Sequence, residues 1–183
     1  MQYRPFGKTG ERVSVLGYGC MRLPSLDAPF GGEKIDEEKA IRLIRHAVDQ
    51  GVNYLDTAFM YHGGNSETLV GKAIRDGYRD KVLLATKSPF GGFQAPEDFD
   101  RHLDIQLERL GVDTVDFYLL HAASRNSWEN VALKFDLLSK MEKAKAAGKI
   151  RHIGFSFHDD FDAFKEIVDA YDWEFCQIQL NYI

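Results

Sequence analysis

Val82-Leu83-Leu84-Ala85-Thr86-Lys87 is an apolar run that ends in a lysine, flanked by Asp80-Lys81 on one side and the turn-rich Ser88-Pro89-Phe90-Gly91-Gly92 on the other. Four β-compatible residues between such boundaries read as a short strand, Val82 to Ala85, buried on both faces. Lys87 then stands at the carboxyl end of that strand. A lone lysine there would merely return the chain to water, because charged side chains are seldom buried unless paired. The pattern repeats, however. Tyr54-Leu55-Asp56 ends in an acid, Phe117-Tyr118-Leu119-Leu120-His121 in an imidazole and Ile153-Gly154-Phe155-Ser156 in a hydroxyl. Successive apolar strands each deliver one polar group at the same end.

The strand ends at 56, 87, 121 and 156 are 31, 34 and 35 residues apart, and each interval holds a helical pattern. Asp36 caps a first helix whose apolar face is Ile41, Ile44 and Val48, ending at Gly51. A second runs over 66–76 with Leu69, Ala73 and Ile74 inward, and a third follows Pro96 with Phe99, Leu103, Leu107 and Leu110 in a stripe closed by Gly111. Asn126 with Glu129 resembles a capping box for a long helix carrying Val131, Phe135, Leu138 and Met141 as far as Gly148. The fifth helix spans 159–171 with Phe161, Phe164 and Val168 inward, before a sixth strand over 175–180. Upstream, 3–15 reads as a small hairpin turning at Phe6-Gly7-Lys8-Thr9-Gly10, and Leu16-Gly17-Tyr18-Gly19 as a short first strand.

Strict alternation of strand and helix implies a parallel sheet covered by helices. A doubly wound sheet would place a glycine-rich phosphate turn after its first strand, and Gly17-Tyr18-Gly19-Cys20-Met21-Arg22 lacks the third glycine. A (β/α)₈ barrel gathers its chemistry from the carboxyl ends of several strands, as here. The expected fold is therefore α/β, one domain over 1–183 holding a hairpin and about six strands of a TIM barrel. Six strands cannot close an eight-stranded barrel, so the expectation is the recorded part of a longer chain, cut before the seventh strand.

With 183 residues, 44% of them hydrophobic, the chain can bury a sizeable core, and a net charge of −5 offers no basic face to nucleic acid. Cys20 and Cys176, the two cysteines, lack the paired spacing of a metal site or redox motif. The start carries no apolar leader and no run of about 18 apolar residues occurs, so a soluble cytoplasmic protein with no membrane partner is expected.

Converging in a barrel mouth, Asp56, Lys87 and His121 would be joined by Tyr61, five residues beyond Asp56. An unaided phenol, with a pKa of ~10, is a poor proton donor near neutrality. A neighbouring ammonium stabilises its anion, an aspartate holds the ammonium, and an imidazole hydrogen-bonds a carbonyl oxygen. Such a group moves a proton onto or off an alcohol oxygen.

These residues resemble the aldo-keto reductase family. Asp56-Thr57-Ala58-Phe59-Met60-Tyr61 followed by Asn65-Ser66-Glu67 is similar to its Asp-Thr-Ala-x-x-Tyr signature, Ala85-Thr86-Lys87 to its lysine strand and Asp116 to His121 to its histidine strand. Gly154-Phe155-Ser156 and Gln177-Ile178-Gln179 resemble its nicotinamide-contacting strands. The resemblance implies Tyr61 as general acid–base, Lys87 and Asp56 tuning it, and His121 orienting a small-molecule carbonyl. It also implies NADPH as cofactor, with NADH left open, and Met21, Ser156 and Gln177 among its contacts. Phe157 stands where many members have asparagine and Met21 where some have tryptophan. The family's last two strands, with the basic loop for the adenosine 2′-phosphate, have no counterpart. Two other readings stay open: a regulatory subunit on a reductase scaffold, and a barrel isomerase for a phosphorylated sugar, which needs a phosphate cradle near the last strands.

Overall fold

The structure, a computed structural model, describes residues 1–29 and 31–180. Strands β1 (Tyr3–Pro5) and β2 (Arg12–Ser14) pair as an antiparallel hairpin. Six further strands form one parallel sheet in chain order: β3 (Tyr18–Gly19), β4 (Tyr54–Asp56), β5 (Leu83–Ser88), β6 (Val115–Ala123), β7 (Ile150–Phe157) and β8 (Phe175–Ile178). Between them lie α1 (Glu37–Asp49), α2 (Asn65–Ala73), α3 (Asp98–Leu110), α4 (Arg125–Ser127), α5 (Leu137–Ala146) and α6 (Phe161–Asp169). The expected parallel α/β architecture is present, as a half-barrel.

The sheet is curled, and its inner side chains show how far. β4 and β8 are four strands apart, which in a flat sheet means about 19 Å. Yet the Phe6 ring of the hairpin lies 5.4 Å from that of Tyr54 on β4 and 5.1 Å from that of Phe175 on β8. Phe6 also meets Phe117 edge-on at 5.2 Å, so it plugs the amino-terminal end of the half-barrel over Tyr54, Ala85, Phe117, Leu119 and Phe175. A larger core separates the convex side of the sheet from the helices. Among the described residues no helix is long and apolar enough to cross a membrane.

Several boundaries differ from the sequence reading. β5 continues through Lys87 to Ser88, so the lysine is inside the strand and not at its exit. β8 ends at Ile178. The capping box belongs to Ser124 and Ser127, not to Asn126 and Glu129, because the β6 chain turns two residues earlier than the polar pair suggests. The expected long helix is three pieces: α4, a π-helical segment Trp128–Leu133, and α5, which starts after Asp136 at a left-handed φ of 51°. The apolar periodicity runs unbroken through that kink, since Val131, Phe135, Leu138 and Met141 all still pack on the core. On α6 the buried positions are Ala163 and Ile167, while Phe161 is 74% exposed. Of the three positions expected inward, Phe164 packs on the core, whereas Phe161 and Val168 are exposed.

Interior crowding explains two glycines. A Cβ on Gly154 would sit 2.6 Å from the Phe175 ring, and one on Gly17 would sit 3.1 Å from Tyr54. Phe175 cannot swing away, because Phe6 and Phe117 hold its other faces at 5.1 Å. Gly154→Ala is therefore expected to destabilise the protein by about 1–3 kcal/mol through overpacking. Urea unfolding measures it, and an unchanged midpoint would show that the interior has slack.

Candidate active site

A strand's side chains alternate between its two faces, so positions two apart share one. The apolar floor formed by Tyr54, Ala85, Phe117 and Phe175 is thus followed, one layer nearer the carboxyl ends, by Asp56, Lys87, Ser156 and Gln177, with His121 farther along β6. Parallel register places Asp56 opposite Ala85, Lys87 opposite Leu119 and Ser156 opposite Gln177.

Lys87 is the centre. Its side chain is 2% exposed, and Nζ donates to Asp56 Oδ1 at 2.6 Å, Thr57 O at 2.7 Å and Tyr61 Oη at 3.3 Å. The ammonium also lies 4.9 Å from the centre of the Tyr61 ring. Burial raises the Asp56 carboxyl above the usual carboxylate range, and the adjacent Lys87 charge works against that shift. The ring of His121 meets that of Tyr61 edge-on at 5.6 Å. Burial lowers the His121 pKa to about 4, helped by the nearby Lys87 and His158. His121 is therefore neutral at ordinary pH, and one ring nitrogen carries a proton to donate.

A backbone irregularity in β6 supports this arrangement. The register with β7 shifts between Leu120 and Ala123, with Ala122 at a φ of 52°. Such a bulge re-aims the neighbouring side chain and leaves a ladder N–H unpaired. Ser156 Oγ accepts that Ala122 N–H at 2.7 Å, so the serine braces the turn beside His121.

Tyr61, Lys87, His121, Ser156 and Gln177 line one cavity of about 210 Å³ together with His158. Met21 is not among the lining residues; it stands beyond β3, more than half exposed. Phe157 faces the helix layer, against Phe155 and Phe164, and not the mouth.

Behind Lys87 lies a polar network that the sequence reading missed. Glu67, fully buried, accepts from Thr86 Oγ1 and Gln106 Nε2, both at 2.6 Å, and from Arg109 at 3.2 Å. Gln106 also donates to the Lys87 carbonyl at 3.0 Å and accepts from the Tyr118 hydroxyl at 2.7 Å. The signal was Gln106 itself, seven positions after Phe99 on the buried side of α3.

The aldo/keto reductase family model matches residues 15–183. The chain belongs to the aldo/keto reductase family. It is similar to a Schizosaccharomyces pombe aldo-keto reductase designated [NADP(+)], 33% identical over 165 residues, which are 83% of this chain and 45% of that protein. Among solved structures it resembles a Bacillus halodurans aldo-keto reductase in its holo form (29% identity, TM-score 0.79, 98% of this chain and 58% of that one). It also resembles a Klebsiella pneumoniae aldo-keto reductase in complex with NADPH (28%, TM-score 0.76, 100% and 59%). The aldo/keto reductase chain described here thus spans about half of the curated relative's length.

The low His121 value has a consequence for stability. Between pH 6.5 and about 4 the unfolded chain binds a proton at this histidine and the folded protein does not, so stability falls as pH drops through that window. An NMR titration of the His121 ring is expected to find it neutral down to about pH 4. A midpoint near 6.5 would mean that the ring is solvated.

Proposed function

We propose that the protein is an NADPH-dependent oxidoreductase interconverting an aldehyde or ketone with an alcohol, and that Tyr61 is its general acid–base. The observation that carries this reading is the single buried ammonium of Lys87, bonded at once to Asp56, Thr57 and the Tyr61 phenol. The group has no nucleophile beside a base, and the ammonium that Asp56 and Thr57 hold gives its remaining N–H to the Tyr61 phenol oxygen.

The mouth fits a nicotinamide carboxamide. Gln177 Oε1 is a buried acceptor with no partner among the described residues, and Ser156, its neighbour in register, has a hydroxyl oxygen able to accept more than the one N–H it holds. Ser156 and Gln177 would hold the carboxamide. The names of the similar proteins from S. pombe and K. pneumoniae support NADPH. When bound, the reduced nicotinamide supplies a hydride to the carbonyl carbon.

In reduction, Tyr61 Oη gives its proton to the carbonyl oxygen as negative charge develops there. Lys87, within hydrogen-bond reach of that Oη, stabilises the phenolate left behind, and Asp56 keeps the ammonium in place. Neutral His121 donates to the carbonyl oxygen and fixes its orientation toward the phenol. In the oxidative direction the same proton returns to Tyr61.

Tyr61→Phe removes the proton and Lys87→Met the charge behind it. Each is expected to lower turnover by ~10²–10⁴-fold, the usual cost of losing a positioned acid. Fluorescence titration with NADPH should give nearly wild-type affinity for Tyr61→Phe and weakened affinity for Ser156→Ala. Near-normal turnover in either of the first two variants would remove the assignment.

A further inference from the structure

We propose that His62 is a positioning residue for Tyr61: its imidazole clasps the loop between β3 and α1 to the turn that carries the phenol, and so sets where the phenol stands against Lys87. The inference rests on the reading of Tyr61 as general acid–base.

His62 follows Tyr61 directly but does not line the mouth; it is 4% exposed. Both ring nitrogens are used on the loop. Leu23 N–H donates to Nε2 at 3.0 Å, so Nε2 bears a lone pair, and the proton on Nδ1 is donated to the Gly32 carbonyl at 2.5 Å. One imidazole thereby joins two loop residues nine positions apart. Leu23 is itself buried, which anchors the loop end of the clasp in the core. Two further bonds run the same way: Asn65 Nδ2 to Glu33 O at 3.2 Å and Ser66 Oγ to Cys20 O at 3.0 Å.

The backbone marks the position as special. His62 sits at a φ of 55°, followed by Gly63 at 64° and Gly64 at 95°. Three left-handed residues in a row turn the chain sharply from Tyr61 into α2. Glycine or asparagine would be the unstrained choice at the first of them, and strain retained beside a reacting group points to a role there. From the opposite side Arg109 presses on the turn, 3.2 Å from where a Gly64 Cβ would be, and donates to Phe59 O at 3.3 Å. The turn is thus gripped between α3 and the loop, and the imidazole is the grip on the loop side.

His62→Gly tests this, because glycine accepts the backbone geometry and only the ring is lost. With NADPH and benzaldehyde as probes, kcat is expected to fall roughly tenfold to a hundredfold, as for a misplaced reacting group. KM and the NADPH dissociation constant should stay unchanged, and added imidazole should restore part of kcat. His62→Asn, which tolerates the same φ and keeps an amide donor for Gly32, should lie between the two. Unchanged kcat in His62→Gly, or losses in kcat, KM and cofactor affinity together with no imidazole rescue, would overturn the proposal. If His62→Gly does not fold, His62→Asn decides by the same readouts. Tyr61→Phe assayed in parallel separates the two levels. An inactive Tyr61→Phe beside a fully active His62→Gly ends only the His62 role; an active Tyr61→Phe ends the parent reading and this role with it.

Discussion

A lysine ammonium inside a barrel is the constraint on which the rest of the structure depends. An unpaired buried charge is severely unfavourable, and a buried ion pair is tolerated only when geometry and additional hydrogen bonds satisfy it. Lys87 Nζ has three N–H groups, and three acceptors meet them: Asp56, Thr57 and Tyr61. All three come from β4 and the turn after it. The lysine is opposite Leu119, two pairs beyond the Asp56–Ala85 row, and its side chain reaches back toward β4. Pairing of β4 with β5 in this register is therefore what creates the site; a one-residue slip would turn Lys87 to the helix side.

The surroundings keep that arrangement rigid in two ways. Apolar packing below it, with Phe6 against Tyr54, Phe117 and Phe175, closes the floor and forces glycine at 154. Polar packing behind it ties α2, α3, β5 and β6 together through Glu67, Gln106, Thr86 and Tyr118. Hydrogen-bonded dipoles already in place need not reorganise when charge develops, which is the principal electrostatic advantage of a preformed site. The depressed His121 value belongs to the same logic, because burial and the Lys87 charge keep the imidazole neutral and able to donate.

Much of this was legible in the residues. Asp56, Lys87 and His121 each end or interrupt an apolar strand, and the spacing of strand ends implies one helix between each pair, so architecture and mouth emerge together. A charge after an apolar run resembles an exit to solvent, which sets Lys87 one step too far out; only the three acceptors from β4 and the turn after it make its burial possible. Periodicity is blind to the break at Asp136, since the apolar stripe resumes in phase beyond it. The Glu67 network and the His62 clasp stayed hidden for a different reason. Their partners lie 12 to 42 residues apart and several are backbone groups, which carry no sequence signature.

The central claim is that Lys87 and Tyr61 act as one unit and not as two independent contributors. A double-mutant cycle on carbonyl reduction at saturating NADPH tests it, using Tyr61→Phe, Lys87→Met and the two combined. Groups that work as a unit are non-additive, so the double variant is predicted to be no slower than the slower single one. Losses that multiply would contradict the account.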